Sequence, residues 1–307
     1  MALSRRVRHD EYPDWILAFG PFFVIAIVVA ALYGVISFVG VDWIAATATL
    51  DVFVVLTGIG FIAGILPVVV GMLWFPYFRR LDLGWIHAVL AFSAGILAFI
   101  AVEMGLEAVG FAAEVSAPYV GESVAIGAVL VTVVMMELAS RWRKRKSSAV
   151  SGDGLRVAYL VAIGLGLHSI GEGLAIGSAF VLGDLGLVAL LAVGFIIHNV
   201  TEGPAVIAAL AREQQAPPLR HFAALGLLAG GGVIVGGWIG SLVDSALVAT
   251  LFFAIALGAI EQVLWEMADL ISSEVETLVT RRTALGFVAG VAVLFLLEEI
   301  IVDGMLL

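Results

Sequence analysis

The chain has 307 residues, of which 62% are hydrophobic and 13% are charged, with a net charge of −10 and a mean hydropathy of +1.14. A soluble domain is roughly half apolar and about a quarter charged, so this composition excludes an ordinary soluble protein and predicts an integral membrane protein. The chain has no cysteine, which excludes disulfides, thiol catalysis and cysteine-ligated zinc.

Long apolar runs predict about nine transmembrane helices. A spanning helix needs about 20 mostly apolar residues, and unbroken runs of this length do not suit the alternating strands of a barrel. The predicted fold class is therefore an all-α bundle that forms a single transmembrane domain over residues 1–307. In chain order, the predicted helices are 15–39, 51–75, 86–110, 121–140, 156–180, 186–211, 221–243, 246–270 and 283–303.

The basic residues predict the orientation of this bundle. With nine helices, all 15 lysines and arginines fall on one side, and the connections on the other side carry acids alone. The positive-inside rule then predicts a cytoplasmic N-terminus and an external C-terminus, and we expect the plasma (inner) membrane. Residues 141–155 form the longest polar connection, interpreted as a basic cytoplasmic linker that sets topology; contact with anionic lipid is the alternative.

Two neighbouring helices repeat the motif His-x-x-x-Glu-Gly, as HSIGEGLAIG from residue 168 and HNVTEGPAVI from residue 198. A spacing of four places His168 and Glu172 on one face of the first helix, and His198 and Glu202 on one face of the second. Both histidines lie near the middle of their helices, and the connection between the helices is short. The sequence therefore predicts antiparallel neighbours whose four polar side chains converge near the bilayer midplane.

A shared cation explains this placement of charge. A carboxylate at the bilayer centre costs about 2.5–3.5 kcal/mol on insertion scales, and neither helix core carries a Lys or Arg to pair with it. Two imidazole nitrogens with up to four carboxylate oxygens suit Zn²⁺, and also Fe²⁺, Mn²⁺ or Cd²⁺. The alternative is two protonated, hydrogen-bonded His–Glu couples with only a packing role.

Three neighbouring residues are candidates for supporting roles. Ser169 and Asn199 directly follow the two histidines and could ligate a second ion or orient the first ligands, although a serine in a helix often bonds back to the backbone. Pro204 has no N–H and releases the carbonyl of Val200, which could serve the site, hold a water or merely mark a kink.

With these paired motifs the chain resembles the ZIP family of divalent metal transporters, especially the prokaryotic GufA-like branch, which carries His-Asn-x-Pro-Glu-Gly motifs on two consecutive helices. Two further stretches, SAGILAFIAVEMGLEA at 93–108 and ALGAIEQVLWEM at 256–267, are similar to an early and a late family helix. The resemblance implies a ZIP-like core of eight helices over 51–303, preceded by an extra N-terminal helix over 15–39.

The resemblance also implies a transport site, and matching the motifs carries metal-ligand roles over to His168, Glu172, His198 and Glu202. The implied transported substrate is Zn²⁺, with Cd²⁺, Fe²⁺ and Mn²⁺ as alternatives, and the implied assembly is a homodimer. Within the two motifs the chain departs from the family pattern at three places: Ser169 replaces an asparagine, and Gly171 and Thr201 replace prolines. Outside them, Leu97 replaces a methionine, and the run Gly230–Gly232 lacks an acid that some relatives contribute to a second ion. One ion is therefore expected, and a second is left open.

Four of the other acids inside predicted helices form two candidate pairs. Glu103 and Glu107 are one turn apart in the helix 86–110, and Glu261 and Glu266 lie in the helix 246–270. Flanking carboxylates concentrate cations, so these pairs are a candidate acidic entrance and a candidate acidic exit. The alternative is that they are ordinary acids at the membrane interface.

The expected function is alternating-access transport of a divalent cation, with the lipid bilayer as surroundings, no nucleic-acid partner and no enzymatic activity. An intramembrane metal-dependent hydrolase is one alternative. HExxH is absent, and the three other histidines (His9, His87 and His221) lie at or near helix ends. A cation channel or a metal sensor that uses the same site is the other alternative.

Overall fold

The computed structural model describes Gly20 and residues 49–78, 81–148, 154–207, 210, 218–243, 245–274 and 278–306. All regular structure within these residues is helical, as the composition predicted. The helices are α1 (Thr49–Gly60), a π-helical turn (Phe61–Ile65), α2 (Leu66–Phe78), α3 (Leu83–Glu114), α4 (Val120–Ser148), α5 (Gly154–Val181), α6 (Leu185–Ile207), α7 (Leu219–Gly230), α8 (Gly232–Gly240), α9 (Ala246–Glu274) and α10 (Arg281–Leu306).

In the described part of the chain, seven helical segments are long and apolar enough to cross a membrane, which is consistent with an integral membrane protein. They are Val52–Trp74, Leu83–Glu114, Val120–Lys146, Gly154–Val181, Leu185–Ile207, Leu219–Gly240 and Ala246–Ser272. Helix α10 is not one of the seven, and the predicted helix 15–39 lies outside the described residues apart from Gly20. The count of nine spanning helices is therefore not confirmed.

The basic segment differs from its prediction as a linker beginning at residue 141. Helix α4 continues through it to Ser148, and residues 149–153 lie outside the described part. Arginine and lysine are good helix formers, and ion pairs support the extra turns. Arg141 Nε lies 2.6 Å from Glu137 Oε1 one turn earlier, and Lys144 Nζ lies 3.8 Å from Asp269 Oδ2 on α9.

A tight turn makes α5 and α6 antiparallel neighbours. Gly183 adopts a left-handed backbone conformation with φ 83°, which glycine tolerates without a steric penalty. The amide of Asp184 then donates to the carbonyl of Ala179 at 3.0 Å, which closes the end of α5. The Asp184 side chain accepts from the amide of Leu187 at 2.8 Å, which caps the start of α6.

Small residues bring the two motif helices close to outer helices. On α8, glycines recur every fourth residue at Gly232, Gly236 and Gly240, and a Cβ at any of them would clash with a backbone carbonyl of α5. Such spacing permits close helix approach where lipid offers no hydrophobic driving force. On α6, a Cβ at Gly203 would clash with the backbone of α2. Each motif helix is thus held from outside by a different helix.

The carbonyl that Pro204 releases does not face the candidate site. A Cβ at Gly71 on α2 would clash with the oxygen of Val200, so this carbonyl points at the α2 backbone. The missing N–H of Pro204 therefore contributes to the contact between α2 and α6, and the suggestion that Val200 serves the site is not supported.

Helix α3 packs against α6, α9 and α10. Its side chains Ile96, Ile100 and Met104 are fully buried in the main core, together with Phe195 of α6 and Phe253 of α9. Because lipid tails are as apolar as these side chains, van der Waals packing holds the core together. This packing also brings the α3 residue Ser93 against the middle of α6.

Candidate metal centre

The two motifs meet near the middle of α5 and α6. His168 and Glu172 project from α5, and His198 and Glu202 project from α6. All four are buried, with exposed fractions of 1%, 0%, 1% and 6% respectively. The turn at Gly183 and the spacing of four within each motif explain why two separate stretches of sequence arrive at one place.

Three of these residues could hold one ion together. Ligand atoms of His168, His198 and Glu202 all lie within 4.8 Å of one another. Glu202 Oε1 lies 3.2 Å from His198 Nε2 and 3.7 Å from His168 Nε2, so this carboxylate faces both rings. The ring centroids are 5.7 Å apart at an interplanar angle of 78°, which leaves the nitrogens converging on the carboxylate.

Glu172 reaches the centre through one histidine. Its Oε1 lies 3.2 Å from His168 Nε2, and its Oε2 accepts a hydrogen bond from Asn199 Nδ2 at 3.1 Å. It is not part of the set of three that lies within 4.8 Å. Glu172 therefore borders the centre and contributes charge from the α5 side.

Several atoms that face the centre have no hydrogen-bond partner within the described part of the chain. They are Nε2 of both histidines, Oε1 of Glu172 and both carboxylate oxygens of Glu202. A buried polar atom left without a partner costs about 1–3 kcal/mol, and more when it is charged. Five such atoms on four neighbouring side chains are better explained by a cation bound among them than by separate packing roles.

His198 is supported from behind by two hydroxyl groups. Ser93 Oγ of α3 lies 2.8 Å from Nδ1 of His198 and 3.1 Å from Thr201 Oγ1. Thr201 Oγ1 also donates to the carbonyl of His198 at 2.6 Å. Sequence reasoning missed this role for Ser93, although a polar residue in the apolar run around 93–100 was a usable signal.

Asn199 links Glu172 to the π-helical turn before α2. Its Nδ2 donates to Ala63 O at 2.9 Å as well as to Glu172. Pro67 removes the N–H that would bond to the carbonyl of Ala63 in a regular helix, and π-helical turns are frequent at functional sites. Asn199 is thus placed to orient Glu172, as a supporting residue would. Pro67 was the sequence signal for the Ala63 carbonyl that Asn199 also contacts.

The hydroxyl of Ser169 is used in a hydrogen bond away from the four ligand candidates. Its Oγ donates to the carbonyl of Ala229 on α7 at 3.0 Å, and its side chain is fully buried. This bond ties α5 to α7. The structure therefore gives Ser169 a packing role and does not bring it together with Asn199 as a second ion site.

A cleft between α4, α5 and α9 reaches His168 from one end of the bundle. Polar residues line it from Glu266, Arg143 and Ser140 at the outer end through Gln262 to His168. Arg143 Nη2 lies 3.1 Å from both carboxylate oxygens of Glu266, and Ser140 donates to the same carboxylate. The candidate exit residue Glu266 therefore lines the same cleft as His168, and the guanidinium of Arg143 lies against its carboxylate.

The other candidate entrance and exit acids lie elsewhere. Glu261 is exposed on α9 and does not line this cleft. Glu103 and Glu107 are half-buried on α3. The carboxylates of Glu107, Glu298 and Asp184 are near enough to Glu103 to repel its negative charge. Because Asp184 lies in the turn after α5, this acidic group is at the end of the bundle opposite to Arg143.

No known protein-family model matches the chain, and no curated protein matches it. The assignment of a metal centre therefore depends on the geometry of these side chains.

Proposed function

We propose that the protein transports divalent transition-metal cations across a membrane, with Zn²⁺ as the preferred substrate. The observation that carries this proposal is the convergence of His168, His198 and Glu202, with Glu172 beside them, in the interior of an apolar helical bundle. Their facing atoms are buried and without hydrogen bonds among the described residues. The resemblance of the paired motifs to those of the ZIP family points to the same function.

The donor set suits a transition metal. Imidazole nitrogens favour Zn²⁺ and its first-row neighbours, whereas Ca²⁺ and Mg²⁺ prefer sites made only of oxygen. Two ionised carboxylates and two neutral histidines would carry a charge of −2, which a divalent cation neutralises. A compensated charge is what the interior of a membrane protein requires.

We infer that a cation reaches the centre from one end through the cleft that His168 and Glu266 line. At the opposite end, Glu103 and Glu107 lie on α3, the helix that also carries Ser93 next to His198. We infer that the centre is exposed to each end in turn, with the carboxylates at each end attracting the cation. Binding requires deprotonated ligands, so transport should weaken as pH falls.

The alternatives predict different products. A hydrolase needs an open coordination position and a general base, and would turn over a lipid or peptide without moving ions. A channel would pass ions at rates that do not saturate at low metal concentration, whereas a sensor would bind metal without flux. Saturable Zn²⁺ uptake therefore separates transport from these three alternatives.

The test is uptake of Zn²⁺ into proteoliposomes that contain the full chain, comparing wild type with His168→Ala and Glu202→Ala. Wild type should accumulate Zn²⁺ in a saturable manner, and both variants should lose most of that uptake. The matched control is His221→Ala, because His221 hydrogen-bonds Tyr159 at 2.9 Å, about 13 Å along α5 from His168. Equal uptake by wild type and both site variants would rule out the proposed transport site.

A further inference from the structure

A chain of polar contacts behind His198 connects Nδ1 of its ring, through Ser93 and Thr201, to its own backbone carbonyl. Thr201 Oγ1 lies 2.6 Å from the carbonyl oxygen of His198 and 3.1 Å from Ser93 Oγ. Ser93 Oγ lies 2.8 Å from Nδ1 of the same histidine. Ser93 and His198 are at most 1% exposed and Thr201 is 8% exposed, so bulk water does not offer competing partners.

The proton positions follow from the fixed end of this chain. A carbonyl oxygen only accepts, so two oxygens 2.6 Å apart require the proton of Thr201 between them. Thr201 then has no proton left, so the 3.1 Å contact is a hydrogen bond only if Ser93 donates it. Ser93 has in turn used its only proton. The remaining 2.8 Å contact is therefore a hydrogen bond only if Nδ1 of His198 donates it.

We propose that Ser93 and Thr201 are positioning residues that keep a proton on Nδ1 of His198 and direct the lone pair of Nε2 to the transported cation. The role deepens the proposed function and rests on it. A neutral imidazole binds a metal through its unprotonated nitrogen, and a partner for the other nitrogen sets ring orientation and tautomer. The opposite tautomer would place a proton on Nε2, between the ring and Glu202.

Nitrogen NMR of the full chain, labelled with ¹⁵N in histidine, tests the tautomer directly. Spectra are recorded on metal-free protein at alkaline pH and on protein loaded with ¹¹³Cd²⁺. We expect Nδ1 of His198 to be protonated in both states, and cadmium coupling to appear at Nε2. An unprotonated Nδ1, or coupling of cadmium to Nδ1, overturns the proposal without any variant.

Substitutions test the consequence for affinity. Ser93→Ala and Thr201→Val should each weaken Zn²⁺ binding by about tenfold, the lower end for a partner that orients a metal-ligating histidine. Thr201→Val should also shift metal-free His198 towards the Nε2–H tautomer, and Thr201→Ser should restore both properties. The matched control is Ser178→Ala on α5, a buried serine that donates to the carbonyl of Gly240 at 3.4 Å.

Two outcomes separate this proposal from the proposed function. If wild type binds neither Zn²⁺ nor Cd²⁺, the transport function fails, and the positioning role for metal binding fails with it. If wild type binds and transports Zn²⁺ but Ser93→Ala and Thr201→Val bind it within about twofold of wild type, only the positioning role fails. If a variant does not fold, the wild-type NMR spectra still show which nitrogen of His198 carries the proton and which one binds cadmium.

Discussion

The two halves of the candidate centre share a motif and differ in their support. In the α6 half, Nδ1 of His198 is held by Ser93, and Glu202 Oε1 faces both histidines. In the α5 half, Nδ1 of His168 has no hydrogen-bond partner among the described residues. Glu172 faces His168 and takes its hydrogen bond from Asn199 of the other helix.

This difference suggests a division of labour within a repeated motif. The ring of His198 is held by the hydrogen bond between its Nδ1 and Ser93, whereas Nδ1 of His168 has no such partner among the described residues. His168 also lines the cleft to one end of the bundle. A site that only stored metal would benefit from fixing both rings. For the proposed transport, one donor held by a hydrogen bond and one without it would suit a site that binds a cation and then releases it.

The largest effect should come from the carboxylate that the two halves share. Glu202→Gln removes the charge that faces both histidines, so we expect Zn²⁺ affinity to fall by at least about 100-fold, beyond what loss of an orienting partner causes. Glu172→Gln should cost less, on the order of tenfold, because Glu172 contacts only one histidine. Competition with a fluorescent chelator would measure both.

Glutamine has nearly the same shape as glutamate, so each variant serves as a folding control for the other. Equal losses in Glu202→Gln and Glu172→Gln would show that the two halves are equivalent, and the proposed division of labour would be wrong.

The next effect should be on stability and should be similar in the two halves. Gly173→Ala would drive a Cβ into the backbone of α8, and Gly203→Ala would do the same against α2. Overpacking of this kind costs about 1–3 kcal/mol, so both variants should melt at lower temperature in detergent. Gly127→Ala on α4 is the control, since a Cβ there meets nothing within 4 Å. A normal melting temperature for either site variant would contradict the close packing.

A smaller loss of Zn²⁺ affinity should follow from removing the hydrogen bond between Asn199 of α6 and Glu172 of α5. Asn199→Ala removes the donor to Glu172 and leaves the carbonyl of Ala63 without that bond. We expect Zn²⁺ affinity to fall by roughly tenfold, as for other partners that orient a ligand. Ser169→Ala, at the equivalent position of the α5 motif, should have little effect because Ser169 bonds to Ala229. Calorimetric titration with Zn²⁺ would compare them, and equal losses would restore Ser169 as a candidate ligand.

The ligand candidates could be predicted from the sequence because their signal is local. Charge in an apolar run is costly, the spacing of four fixes a face, and a short connection makes the two helices neighbours. The same physics predicted the helical class and, within the described residues, the approximate positions of the helices. The continuation of α4 through residues 141–148 was not predicted, since one of its contacts, the ion pair of Lys144 with Asp269, comes from a helix far away in the chain.

The supporting residues could not be predicted in the same way. Ser93 is 105 residues from His198 in the chain, and no periodicity relates them. The carbonyl of Ala63 accepts from Asn199, and Pro67 lacks the N–H that would bond to it in a regular helix. The sequence does not show that this stretch packs against α6. Proline chemistry alone was also ambiguous, since Pro67 frees a carbonyl that Asn199 uses, while Pro204 frees one that packs on Gly71. Only the packing of α2 on α6 distinguishes the two cases.

The smallest effect should fall on the rate of transport rather than on affinity, through the ion pair at the mouth of the cleft. Arg143→Gln removes the guanidinium 3.1 Å from Glu266 on the path to His168. A partly exposed ion pair is worth at most about 1 kcal/mol, so the initial rate of Zn²⁺ uptake should rise by less than about fivefold. The affinity should stay unchanged because Arg143 does not touch the centre. Arg141→Gln, which breaks the exposed pair with Glu137 on the same helix, should alter neither. If Arg143→Gln changed the Zn²⁺ affinity but not the uptake rate, the cleft would not be the route by which Zn²⁺ reaches His168.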